Sequence, residues 1–239
     1  MVITMNLLPK RIKHFRVGKP MFKQLPMYLL LILCGLFLLP SDGRAGEVGQ
    51  KFIPGMYEGL MLAVDHEEVM GFFNVERGEG VTFRCSFFLK GKEVKGQANI
   101  VTWSGRRIRK DGDIYSFPGL LKNENKDDIY LKIEQGSGEH PGCGMAIGPQ
   151  VGEEGLPLSR NYEAKWSSLR MVANDRASLF SEPAIGKKTK SYFIRGDILG
   201  VLSVKGGWIN VEFPRAEKKP IRGWVRAEDV EELMPPQKK

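Results

Sequence analysis

Apolar and polar residues alternate along several segments in the first two thirds of the chain. Between residues 81 and 89, apolar side chains occupy every second position, and the same period of two recurs from Ile129 to Ile133. Such alternation is typical of strands with one buried face. The pattern predicts seven strands, near residues 56–63, 69–75, 81–90, 97–103, 113–117, 128–134 and 143–147.

Glycine-rich and polar segments separate these strands, including those at 78–80, 111–113 and 136–138. Short strands joined by turns favour an antiparallel β-sandwich or barrel. We assign it to residues 46–167, which are long enough to enclose one hydrophobic core. We expect Trp166, at the end of this module, to fill a core or the junction with the next module.

The last third of the chain predicts a second, smaller β module. Apolar segments at 169–172, 177–180 and 198–204 indicate strands, and Gly206-Gly207-Trp208 indicates a tight hairpin turn into an alternating strand at 209–213. A basic, proline-containing loop is expected at 215–222. One short turn of α-helix or 3₁₀-helix is expected within 227–233, followed by a tail at 234–239.

Three motifs in this region occur in a recognisable order: Gly196-Asp197, the segment from Gly206 to Phe213, and Gly223-Trp224-Val225. In this order and spacing, residues 168–233 resemble a bacterial SH3-like (SH3b) domain. The resemblance implies a small β-barrel and points to the cell wall as a ligand. The complete prediction is therefore an all-β protein: an antiparallel sandwich or barrel with one disulfide, then a small SH3-like β-barrel.

The first 45 residues have the order of a secretory signal peptide. Six Lys or Arg residues between positions 10 and 23 precede a 13-residue apolar run, Met27 to Leu39, and the small residues Gly43 and Ala45 follow it. The apolar run is shorter than the roughly 20 residues that span a bilayer. We predict a cleaved leader over 1–45, with Met21 as an alternative start, and a periplasmic or secreted protein that meets the membrane only through this leader.

Removing the leader changes the charge of the chain. The full sequence carries a net charge of +8, but residues 1–45 hold seven of its 36 basic residues and one of its 28 acidic residues. The mature chain then has 29 basic and 27 acidic residues. A nearly balanced surface gives no support for nucleic-acid binding.

The mature chain keeps two cysteines, Cys85 and Cys143. In an exported protein, an isolated pair is most simply a disulfide. The alternatives are two free thiols or a metal site that also uses His140. Since a closed zinc site needs four ligands and the only other mature histidine is His66, we predict the disulfide.

Candidate catalytic groups are few. His66 lies in the run Asp65-His66-Glu67-Glu68, which is typical of a solvated hairpin turn but could also serve a metal-dependent hydrolase. The sequence contains no Gly-x-Ser-x-Gly, His-Glu-x-x-His or Walker-type motif. We therefore predict a protein that is not an enzyme and uses neither a cofactor nor a metal.

Binding is the better-supported class of function. Tyr192, Trp208 and Trp224 lie on predicted strands near the basic loop, and with Arg222 they could line a groove for an acidic or peptide ligand. The alternative, which we favour for each tryptophan taken by itself, is that it fills the small core. We predict a non-enzymatic envelope protein whose SH3-like domain binds peptidoglycan peptide or a wall-associated protein. The alternative is a periplasmic inhibitor or immunity protein that blocks a secreted hydrolase or toxin.

Overall fold

The computed structural model describes residues 51–104, 116–134, 140–148, 154–216 and 218–236. The predicted leader and the predicted turns at 111–113 and 136–138 lie outside these residues. Residues 46–239 form one compact unit, and its described part is built almost entirely from strands.

The first eight strands close into an antiparallel barrel in sequential order. Their bounds are β1 Gly55–Tyr57, β2 Leu60–Asp65, β3 Glu68–Arg77, β4 Phe83–Val94, β5 Gln97–Trp103, β6 Ser116–Asn123, β7 Asp128–Ile133 and β8 Leu156–Glu163. Strand β8 closes the barrel, because it pairs with β7 on one side and with β1 on the other. The structure thus confirms the predicted all-β class, with a barrel in the first module.

Alternate side chains from these strands fill the barrel. The fully buried ones are mostly large and apolar, and they include Tyr57, Leu60, Leu62, Phe73, Phe87, Leu89, Leu121, Leu131 and Ile133. Burial of each large apolar side chain contributes about 1.5–3 kcal/mol. The barrel interior is therefore a packed core.

Two strand predictions in this half were wrong in detail, and a third, 113–117, overlaps only the first two residues of β6. The predicted strand 56–63 is two strands, because Gly59 adopts a φ of 78° and reverses the chain between β1 and β2. The predicted strand 143–147 is a short helix, α1, over Cys143–Ala146. Its buried residues Cys143, Ala146 and Ile147 have the spacing of one helical face, and they pack into the barrel core.

The predicted disulfide between Cys85 and Cys143 is confirmed. It links β4 to α1, with the two Cα atoms 4.3 Å apart and 58 residues of sequence separation. A loop of this length gives about 4 kcal/mol of stabilisation in the chain-entropy account of disulfides. Both cysteines are fully buried, so the bond lies inside the barrel core.

The remaining strands form a curled seven-stranded sheet in the order β11-β10-β14-β13-β12-β9-β15. Their bounds are β9 Ser168–Val172, β10 Arg176–Phe180, β11 Lys188–Ile194, β12 Ile198–Lys205, β13 Trp208–Arg215, β14 Lys218–Arg226 and β15 Val230–Glu232. Single 3₁₀ turns occupy Ile185–Lys187 and Ala227–Asp229. We call this sheet the second sheet. It has its own apolar core, which includes Leu199, Val201, Val211 and Val225.

The hairpin turn predicted at Gly206-Gly207 is present, with both glycines at positive φ. The basic loop predicted at 215–222 is instead mostly strand. Arg215 pairs with Lys218 and Glu212 with Arg222, so β13 and β14 continue almost to the tip of the hairpin. The predicted helical turn near the C-terminus is a 3₁₀ turn followed by β15.

The barrel and the second sheet share a third apolar cluster. Barrel residues Met61 and Phe88 meet Leu169 and Ile198 of the second sheet there, around the fully buried Trp166. The prediction that Trp166 fills a core or the junction is confirmed. Backbone hydrogen bonds on both sides of this segment, Val64 N to Trp166 O (3.0 Å) and Ser167 N to Val201 O (2.9 Å), hold it in place. We call this region the junction.

Candidate functional site

Three of the four predicted binding residues lie on one face of the β13–β14 hairpin. In β13, Ile209 and Val211 point into the core of the second sheet, so Trp208 and Glu212 lie on the opposite face. We call this the outer face, although the barrel covers it at Glu212. The register places Trp224 opposite Asn210 and Arg222 opposite Glu212. The structure therefore brings Trp208, Trp224 and Arg222 to the same outer face.

Trp208 and Trp224 are both partly exposed, and Phe180 packs beside them. The ring of Phe180 meets Trp208 edge-on at a centroid distance of 4.8 Å, and the Phe180 backbone pairs with Trp224. Phe180 itself is buried. We call Phe180, Trp208 and Trp224 the aromatic face. Its two indoles neither fill the core of the sheet nor stand free in solvent.

Tyr192 lies on β11, the edge strand next to β10, which carries Phe180. Its side chain is 48% exposed, and the Arg176 guanidinium lies 4.7 Å from the ring centroid. This distance is within the range of a cation–π interaction. Tyr192 and Arg176 thus place an aromatic ring and a positive charge one strand beyond the aromatic face.

Arg222 has a structural partner in the fully buried Glu212. Arg222 donates from Nε to Glu212 Oε2. The other carboxylate oxygen, Glu212 Oε1, accepts hydrogen bonds of 3.0 Å from Tyr162 Oη and from Trp166 Nε1. Arg222 also donates from Nη2 to Tyr162 Oη at 3.2 Å. We call these four residues the junction network, since they join β8 of the barrel to β13 and β14.

Two members of the junction network, Arg222 and Tyr162, have raised pKa values. The hydrogen bond to Glu212 raises the pKa of Arg222, and burial, followed by Glu212, raises the pKa of Tyr162. Sequence reasoning missed this network. No signal in the sequence pointed to it, because Glu212, like Asn210, takes a regular polar position of the alternating strand 209–213.

His66 occupies the predicted solvated hairpin. It lies between β2 and β3 with a φ of 55°, its side chain is 93% exposed, and its Nδ1 is 2.7 Å from Asp65 Oδ1. Among the residues that the structure describes, no group of three or more His, Cys, Asp and Glu side chains is placed to hold a metal ion.

His140 lies inside the barrel. Its ring stacks on Phe87 at 4.8 Å between centroids and meets Phe117 edge-on at 4.9 Å. Thr102 Oγ1 donates to the Phe117 carbonyl oxygen (3.0 Å), so it accepts from His140 Nε2 (2.8 Å). Burial lowers the pKa of His140 to about 4. The neutral imidazole therefore serves the packing of the core.

Searches of protein-family models, of curated proteins and of solved structures each find no match to this chain. Within the described ranges, no helix is both long and apolar enough to cross a membrane. The function must therefore be inferred from the surfaces described above.

Proposed function

We propose that this chain is a non-enzymatic, exported envelope protein whose second sheet binds cell-wall peptide or a wall-associated protein at the aromatic face. One observation carries the proposal: Trp208 and Trp224 lie partly exposed on one face of adjacent strands, with Phe180 packed beside them. The resemblance of residues 168–233 to SH3-like domains of bacteria points to the same ligand.

The aromatic face suits a peptide ligand. Partly exposed indoles offer a large apolar area, and aromatic side chains dominate the energetics of many peptide and protein interfaces. Because Phe180 packs against Trp208, the Trp208 side chain has little conformational entropy left to lose on binding. Arg176, beside Tyr192, supplies a positive charge for the carboxylates of a wall peptide.

The arrangement of the candidate catalytic groups favours binding over catalysis. His66 lies in an exposed turn, whereas the imidazole of His140 is enclosed between aromatic rings. Cys85 and Cys143 form a disulfide and so provide no thiolate nucleophile. A disulfide also fits an oxidising compartment, in agreement with the proposed export.

The test is co-sedimentation of the mature chain, residues 46–239, with purified cell-wall sacculi. The parent protein is expected to pellet with the sacculi, and the Trp208→Ala/Trp224→Ala variant is expected to stay in the supernatant. A matched control removes two exposed apolar side chains from the barrel, Val94→Ala and Val101→Ala, and should pellet like the parent. Near-ultraviolet circular dichroism verifies that each variant is folded.

Equal pelleting of the tryptophan variant and the parent would remove the aromatic face from the proposal. If the folded parent does not pellet at all, wall binding is wrong. The inhibitor function then becomes the better hypothesis, and capture of a secreted hydrolase by the mature chain would test it.

A further inference from the structure

A second candidate binding site lies on the other side of the junction network from the aromatic face. A cleft of about 640 Å³ opens between the barrel and the tip of the β13–β14 hairpin. Residues from β1, β8 and the β1–β2 turn form its barrel wall, and the hairpin forms the opposite wall. We call it the basic cleft, and its principal lining residues are Met56, Tyr162, Pro214, Arg215, Lys218 and Lys219.

The charges of the basic cleft come from the hairpin. Lys218 and Lys219 are exposed, and neither forms an ion pair with any acidic side chain of the described residues. Arg215 is held differently, since its Nε donates to the Lys219 carbonyl oxygen at 2.9 Å. Arg215 therefore fixes the hairpin tip, and the two lysines keep their ammonium groups available to a ligand.

The barrel wall is largely apolar. Met56 offers an adaptable thioether chain there, while Pro214, whose backbone φ is fixed, belongs to the hairpin wall. The Tyr162 ring is fixed in turn by the hydrogen bonds of its hydroxyl group with Glu212 and Arg222. A ligand in the basic cleft would thus meet an apolar floor beside two positive charges.

We propose that the basic cleft binds an extended, acidic peptide segment of a partner protein, with Asp or Glu carboxylates at Lys218 and Lys219 and apolar side chains against Met56 and Tyr162. Charge complementarity selects this occupant, because the hairpin segment 215–219 carries three cations, Arg215, Lys218 and Lys219, against one acid, Glu217. The inference does not depend on wall binding at the aromatic face.

The test titrates mature 46–239, carrying ¹³C-labelled methionine methyl groups, with an N-acetylated Glu-Val-Glu-Val-Glu peptide in 50 mM NaCl. The Met56 methyl signal is expected to shift as the peptide binds. The Lys218→Glu/Lys219→Glu variant is expected to bind at least about tenfold more weakly, because two attractive contacts become repulsive. The matched control, Lys92→Glu/Lys95→Glu, changes two exposed lysines at the β4–β5 hairpin of the barrel by the same total charge.

Several results would overturn the inference. One is no shift of Met56 with the acidic peptide. Another is equal binding of the Gln-Val-Gln-Val-Gln peptide, which would show that carboxylates are not recognised. A third is equal weakening by both lysine variants, which would show that net charge alone attracts the peptide. Selective loss in the Lys218→Glu/Lys219→Glu variant, while sacculus binding is retained, would support it and separate the two sites.

Discussion

The ion pair between Arg222 and Glu212 offers a direct way to measure the strength of the junction. Replacing Arg222 with alanine leaves the fully buried Glu212 carboxylate with only the Tyr162 and Trp166 donors. Loss of one partner from a fully buried ion pair costs about 3–5 kcal/mol. Because the Arg222 side chain is 62% exposed, water screens the pair, and we expect a loss of about 2–3 kcal/mol.

A second substitution separates the charge effect from lost packing. Glu212→Gln keeps a carbonyl oxygen for the Tyr162 and Trp166 donors but removes the charge, and by itself should cost about 1–2 kcal/mol. In the Arg222→Ala background, the same substitution should raise stability by about 1 kcal/mol, because it removes an unpaired buried charge. The two substitutions are therefore expected to be strongly non-additive.

Urea denaturation at pH 7, followed by tryptophan fluorescence, measures these free energies of unfolding. Arg226→Ala is the matched control, since Arg226 lies on the same strand and pairs with the exposed Glu228. Its loss should cost under about 0.5 kcal/mol. Additive losses for Arg222→Ala and Glu212→Gln, or equal losses for Arg222→Ala and Arg226→Ala, would refute the role assigned to the junction network.

Three further predictions concern the core. The pKa of His140 is about 4 in the folded protein and near 6.5 in the unfolded chain. Above pH 6.5 the histidine is neutral in both states, and below it only the unfolded chain takes up the proton. The free energy of unfolding should therefore fall by about 3 kcal/mol between pH 6.5 and pH 4, and His140→Phe should flatten this part of a stability–pH curve. Cys85→Ser/Cys143→Ser should cost about 4 kcal/mol in urea denaturation. Gly200→Ala should lower the thermal midpoint by several degrees, because its Cβ would lie 2.4 Å from the Trp166 ring; an unchanged midpoint would contradict this packing.

The barrel strands with strict alternation could be predicted from the sequence, because one buried face imposes a period of two. Strand β8 could not. Only Leu158 among its residues is fully buried, and the rest of Leu156–Glu163 reads as a polar segment. Its strand conformation comes from pairing with β1 and β7, which are distant in the sequence. The helix α1 was missed for another reason: four residues are too few to distinguish a helical period from a strand period.

The candidate site was predictable in part. Gly-Gly-Trp and Gly-Trp-Val were sufficient to select Trp208 and Trp224, and turn chemistry placed them on strands. The role of Arg222 was not predictable, because its partners Glu212 and Tyr162 are 10 and 60 residues away in the sequence. The β13–β14 register pairs Arg222 with Glu212, and tertiary packing against the barrel adds Tyr162.

The most direct test of the central claim uses the four tryptophans of the chain. Trp103 and Trp166 are buried, whereas Trp208 and Trp224 are partly exposed, so acrylamide should quench mainly the aromatic face. We predict that soluble peptide fragments of the cell wall will shield the protein, tested as residues 46–239, from acrylamide, and that Trp208→Phe/Trp224→Phe will abolish the shielded component. Quenching that is unchanged by saturating wall fragments would contradict binding at the aromatic face.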